Sequence, residues 1–147
     1  MILAETLLDF FLETRKHTEN ICAPLEIEDY VVQPMADVSP PKWHLGHSTW
    51  FFEEFILKKY KKDYQIFDSD FSFIFNSYYE SLGKRVVRSD RGNLSRPSVQ
   101  KVYDYRRYVT EAVRGLFGIT VAHELESILE IGIHHEKQHQ ELLLTDI

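Results

Sequence analysis

The chain has 147 residues, 44% hydrophobic and 27% charged, with a formal net charge of −6. That suits one domain, residues 1–147, with a real core, and the acidic balance argues against a nucleic-acid partner. No apolar run approaches the roughly 18 residues a membrane span needs, and the single Cys22 points to a reducing, cytoplasmic setting with no internal disulfide. In chain order, a first amphipathic helix is expected from Leu3 to Ile21, stopping before Pro24. Residues 26–38 read as a loop with a short turn at Glu28-Asp29. A second helix begins at Ser39-Pro40-Pro41, with Ser39 as N-cap and proline in the first turn, and continues to about Lys59. Residues 61–94 are aromatic and irregular, punctuated by Gly83 and Gly92. A connection of that length is expected to pack on the helices and shape a mouth. A third helix starts near Ser95-Arg96-Pro97-Ser98 and runs to Phe117, with Gly118 as its C′ residue. Thr120 caps a fourth, which runs to the last residues and reads as cut off partway, so a downstream region is expected. Strand-type alternation is nearly absent. The expected fold is all-α, an antiparallel four-helix bundle with a long aromatic loop between helices two and three.

The fourth helix carries His135-Glu136-Lys137-Gln138-His139. Histidines four apart project from one side of a helix, about 40° off alignment, and can reach one metal ion. Leu125, Ile128, Leu129, Leu142 and Leu143 recur at the same period, so the pair is expected to point inward. Buried imidazoles with nothing to bind lose their hydration without return, and a metal removes that penalty. Zinc or non-haem iron usually takes three protein ligands. The third is sought in Trp43-His44-Leu45-Gly46-His47, where the two histidines sit about 60° apart on the helix. His47 shares a stripe with Trp43, Trp50 and Phe51 and is the expected ligand. His44 is expected beside the site, as a hydrogen-bonding partner or at its rim. Gly46 and Gly132 leave room for close approach. Each ligand histidine needs an acceptor for its other N–H, and Glu53, Glu54, Glu136 and Glu141 are candidates, Glu136 foremost. His17, His123 and His134 are expected to hold no metal. The same five residues match the zinc metalloprotease pattern, with Glu136 as general base. Those enzymes usually take a downstream third ligand, and only eight residues follow His139.

Three blocks carry more than spacing. They are Ser39-Pro40-Pro41-Lys42-Trp43-His44-Leu45-Gly46-His47-Ser48-Thr49-Trp50-Phe51-Phe52-Glu53, then Asn76-Ser77-Tyr78-Tyr79, then His135-Glu136-Lys137-Gln138-His139-Gln140-Glu141-Leu142. With them the chain, from the Pro24-Leu25 and Glu28-Asp29 segment to Ile147, resembles the N-terminal, DinB-like domain of the iron-dependent sulfoxide synthases of ergothioneine biosynthesis (hercynine oxygenases). The resemblance implies a mononuclear Fe(II) held by His47, His135 and His139, with zinc or nickel able to take the site during purification. It implies O2-dependent joining of sulfur, from γ-glutamylcysteine or cysteine, to the imidazole C2 of hercynine, with oxidation to a sulfoxide. It puts Gln138 on the hercynine side and Arg88 and Arg91 at the donor's carboxylates, a use that suits the bidentate guanidinium. A solvated basic loop is the competing reading for Arg85, Arg88, Arg91 and Arg96.

Members of that family carry a second, C-terminal domain resembling formylglycine-generating enzyme, which supplies a tyrosine proton donor. Nothing of it is found in these residues, so the catalytic residue is expected outside this chain, and the chain alone is expected to lack turnover. Two other readings stay open. One is a free-standing DinB-like thiol transferase, in which a metal lowers a thiol's pKa. The other is a non-catalytic metal-binding helical module that acts through a partner.

Overall fold

The computed structural model describes residues 4–77, 86–117 and 123–147. All regular structure among the described residues is helical, with no strand. The elements are α1 (Ala4–Cys22), α2 (Pro41–Phe52), the short α3 (Phe71–Phe75), α4 (Val99–Leu116) and α5 (His123–Asp146). None is long and apolar enough to cross a membrane. The second helix does not stop at Phe52. It continues through a π-helical turn, Glu53–Leu57, and a last α-turn, Lys58–Tyr60, close to the end expected from sequence. Leu3, Gly83, Gly118 and Thr120, given roles above as boundaries, lie outside the described residues, as do Tyr78, Tyr79 and Arg85.

The helices pack because each offers apolar residues at helical spacing. On α4 these are Val102, Tyr105, Val109, Val113 and Leu116, all buried. They close on α2, which also packs against α5, while α5 packs against α1. The shared core includes Leu7 and Phe11 of α1, Leu45 and Phe52 of α2, and Leu129, Ile133 and Leu143 of α5. Helix α2 is the central element, and every residue from Pro41 to Phe52 is buried. Gly132 lets it approach α5: a Cβ there would meet the Phe52 ring at 2.6 Å. Gly46 serves the same end on the other side, where the Phe75 ring occupies the space a Cβ would need. Phe75 belongs to the 61–94 connection, which packs on the helices through Phe67, Phe71 and Phe75 against Tyr105.

Helix starts were only half readable. Ser98 caps α4 as a side-chain acceptor, its Oγ taking the Lys101 N–H at 3.1 Å. Ser39 does not cap α2: Pro40 precedes the first turn and Pro41 opens it. Proline has no N–H to satisfy there, so the Ser39 hydroxyl is left to accept a hydrogen bond from Arg91 at 2.8 Å.

A buried polar knot ties α1, α2, α4 and α5 together. Glu136 is fully buried, and its Oε1 accepts from Arg15 at 2.8 Å. Its Oε2 accepts from Arg106 at 2.9 Å and from the Thr18 hydroxyl at 2.6 Å. Arg15 also donates to Thr49, and Arg106 to the Leu45 carbonyl. Buried charges survive only when paired and hydrogen-bonded on this scale.

Candidate metal centre

His47, from the middle of α2, and His135 and His139, one turn apart on α5, bring one ring nitrogen each within 4.8 Å of one another. The Nε2 atoms of His47 and His135 stand 3.2 Å apart. Two nitrogens each about 2.1 Å from a shared ion stand about 3.0 Å apart at octahedral angles and about 3.4 Å apart at tetrahedral ones. The pair is therefore already at coordinating separation.

The surroundings prepare these nitrogens as ligands. His47 Nδ1 donates to the Phe75 carbonyl at 2.6 Å, which leaves Nε2 with its lone pair. The His47 ring is stacked between Trp43, at 4.4 Å and 10°, and Trp50, at 5.7 Å and 18°. Those residues are its i−4 and i+3 neighbours, so one helical stripe builds the whole stack. Phe51 stacks on His135 at 4.6 Å. The Nδ1 of His135 is buried and has no hydrogen-bond partner among the described residues. Burial is the main reason that all three imidazoles lose protons easily. His47 and His139 are held far below the usual histidine range by burial and then by their neighbouring rings. His135 is brought down to about 4 by burial. Neutral imidazoles crowded with their lone pairs inward are an unfavourable arrangement unless a cation takes the shared space. The residues present thus fit a divalent metal.

His44 stands beside the triad, as expected, and does not join it. Its Nδ1 lies 3.0 Å from Nδ1 of His139, and its Nε2 donates to Oδ2 of Asp146 at 2.7 Å. The same carboxylate oxygen accepts the Ser39 backbone N–H at 3.0 Å. Asp146 is raised by burial but held below the ordinary aspartate range overall by these donors.

The expected role of Glu136 beside the metal needs correction. Its carboxylate turns away from the histidines into the knot with Arg15, Arg106 and Thr18. Burial pushes its pKa up, the two guanidinium groups outweigh that, and the net result is about 2. The same facts remove the metalloprotease reading, since that base must face the metal and accept a proton. Nor does Glu53 serve a ligand: it accepts from the Tyr105 and Tyr64 hydroxyls and the Phe67 N–H. The inward stripe of α5 is also shifted by one position. Glu136 and Gln140 are its buried members, and His135 and His139 lie at its edge, half-buried, where a pocket reaches them. Leu142 is 39% exposed and lies off the core stripe. His17, His123 and His134 are exposed and outside the cluster, as expected.

That pocket holds about 210 Å³ and is bordered by His135, His139, Gln138, Arg88, Arg91 and Ser77, among others. Gln138, Arg88 and Arg91, which the resemblance implies as substrate contacts, border the same pocket as His135 and His139. They differ in exposure and contact. Arg91 is buried, its guanidinium 3.4 Å above the Trp43 ring and its Nη1 bonded to Ser39. Arg88 is exposed and donates to the Asp37 carbonyl. Asp146, Ser77 and Phe75 were missed. Asp146 sits seven residues after His139, two turns on along the same stripe, which is the one signal that could have found it. Phe75 acts through its carbonyl, which no side-chain pattern reveals.

No family model matches the chain, and no curated protein matches it.

Proposed function

We propose that this chain is a DinB-like antiparallel four-helix bundle whose His47, His135 and His139 hold one Fe(II), and that it forms the metal-binding part of an O2-dependent C–S bond-forming sulfoxide synthase acting on hercynine. The observation that carries the reading is the convergence of three ring nitrogens from two helices, two of them on residues (His135 and His139) that border a pocket shared with two arginines. Bound iron would supply O2 activation, with O2 itself the oxidant for joining sulfur to carbon and the source of the sulfoxide oxygen. The chain's own residues do the rest. Trp43, Trp50 and Phe51 fix the imidazole planes and keep water from their faces. Arg91, locked on Trp43 and Ser39, offers a pre-oriented cation for a carboxylate of the thiol donor (γ-glutamylcysteine or cysteine). Arg88, exposed, offers a second. Gln138 presents an exposed amide at the same mouth for the other substrate. The proton donor of the reaction is assigned to a second domain, outside these residues.

The test is anaerobic titration with Fe(II), followed by hercynine and a thiol under air, with the chain alone and with a long protein that joins it to a second domain of that kind. One iron per chain, and O2 uptake with sulfoxide formation by the long protein only, is the expected result. Tight zinc binding with thiol conjugation and no O2 uptake would assign the bundle to the thiol transferases instead. Failure to bind any divalent metal would overturn the metal reading itself.

A further inference from the structure

We infer that Asp146 and His44 form a proton-ordering chain that fixes the tautomer and the aim of His139, making both positioning residues of the metal centre. The inference rests on the metal reading above and adds to it a set of groups that bind nothing themselves.

The geometry dictates proton positions. A carboxylate only accepts hydrogen bonds, so the 2.7 Å contact between Asp146 Oδ2 and His44 Nε2 places a proton on Nε2. A neutral imidazole has one proton, so His44 Nδ1 is left with a bare lone pair. That lone pair faces His139 Nδ1 at 3.0 Å, a hydrogen bond only if His139 carries the proton on Nδ1. Nε2 of His139 is then bare, the nitrogen left for an ion shared with His47 and His135, whose rings each bring one nitrogen within 4.8 Å of the others. Carboxylate–histidine–metal contacts are the ordinary way to fix a ligand's tautomer. Here a second imidazole, His44, stands between the carboxylate of Asp146 and His139, which lies two turns earlier on α5. His47 obtains the same result from a single carbonyl.

The placement of Asp146 supports a role beyond local structure. It is the last residue of α5, where a negative charge opposes the helix dipole and a lysine or arginine is the favoured choice. The last turn has no basic residue to offset it. What compensates it is contact with two donors from the other ligand-bearing helix and its lead-in, His44 and the Ser39 N–H. A residue that violates a local rule while completing a site is the pattern expected of function.

The experiment uses Co(II) as the probe metal. Affinity is measured by competition with a chromophoric chelator, and the ligand ring N–H protons are read as exchangeable, paramagnetically shifted NMR signals. Asp146→Ala and His44→Phe should weaken Co(II) binding about 10- to 100-fold. Both should lose or broaden the His139 N–H signal while sparing that of His47. Asp146→Asn, which keeps an acceptor oxygen for the same two donors, should restore the signal. Melting of the metal-free Asp146→Ala protein should stay within a few degrees of the parent, because the change removes two hydrogen bonds at the last residue of α5 and no apolar packing. Parental affinity and an intact His139 signal in Asp146→Ala would overturn the chain, as would an Asp146→Asn protein no better than Asp146→Ala. A parent protein that binds no Co(II) would instead overturn the metal reading beneath it.

Discussion

Two kinds of buried residue face each other across α5, and they answer mutation differently. His47, His135 and His139 converge on one point, so replacing any one by alanine should abolish one-to-one metal binding while leaving a folded protein. Metal analysis of the purified variants checks this, and full occupancy in His47→Ala would refute the ligand set. Glu136, one residue after His135, answers to the fold alone. Removing its carboxylate strands Arg15 and Arg106 as uncompensated buried cations. Glu136→Ala should therefore lose about 3–5 kcal/mol of stability in denaturant titrations. Any metal that its folded fraction binds should be held at parental affinity. The histidines were legible because spacing alone puts i and i+4 on one side of a helix. Glu136 was misread because its neighbours Arg15 and Arg106 stand 121 and 30 residues away in sequence and look like surface residues. Arginine and glutamate are almost never fully buried without a partner, and the partner is what one sequence cannot show.

Among the elements, α2 holds the site in place, and it does so with help from a segment that has no long helix of its own. Phe75 makes two contacts at once. Its ring fills the space over Gly46, and its carbonyl takes the His47 Nδ1 proton. Gly46→Ala should thus act on stability and on the metal together. A Cβ forced against the ring costs about 1–3 kcal/mol, equivalent to roughly 2–4 °C of melting temperature per kcal/mol for a chain of this size. Displacing Phe75 also withdraws the acceptor that fixes the His47 tautomer, so metal affinity should fall in the same variant. Thermal melts without metal and a metal titration read the two effects separately; unchanged affinity would show that the carbonyl holds its place without the ring. The four long helices among the described residues were readable from period, because helical spacing is a local property. The start of α2 was readable from its prolines but its cap was not, since Pro40 holds the position expected for Ser39. Neither was the π-helical turn Glu53–Leu57, which sets Glu53 against the Tyr105 and Tyr64 hydroxyls. A shift in hydrogen-bond register leaves no mark in composition, and short segments such as α3 owe their helicity to tertiary packing.

At the scale of the whole molecule, acid should weaken this protein over two overlapping ranges, the buried histidines acting through both and Glu136 only in the lower. The ligand imidazoles are buried neutral, and His135 titrates at about 4 in the folded chain against an ordinary 6.5. Unfolded chains therefore take up those protons first, and stability declines as pH falls below 6.5 toward the folded values. Glu136 acts lower down. Its folded pKa of about 2 lies under the ordinary 4.5, so its contribution is complete above 4.5 and is lost as pH falls from there toward 2. Both losses have the same sign, since in each the unfolded chain binds more protons than the folded one. A divalent ion sharpens the upper stage, because it binds only the folded, deprotonated triad and so stabilises by mass action, by about 4 kcal/mol at a thousandfold excess over its dissociation constant. Urea midpoints of the metal-free protein from pH 7 to pH 3 should show the decline. His135→Gln should make the part between 6.5 and 4 shallower, with His47 and His139 still contributing, and leave the Glu136 part in place. Glu136→Gln, less stable throughout, should keep the upper part and fall less steeply below 4.5. Identical profiles for the two variants would mean that the histidine cluster and the arginine-bound glutamate titrate as one unit, and the division of α5 into a metal-facing edge and a structural face would have to be abandoned.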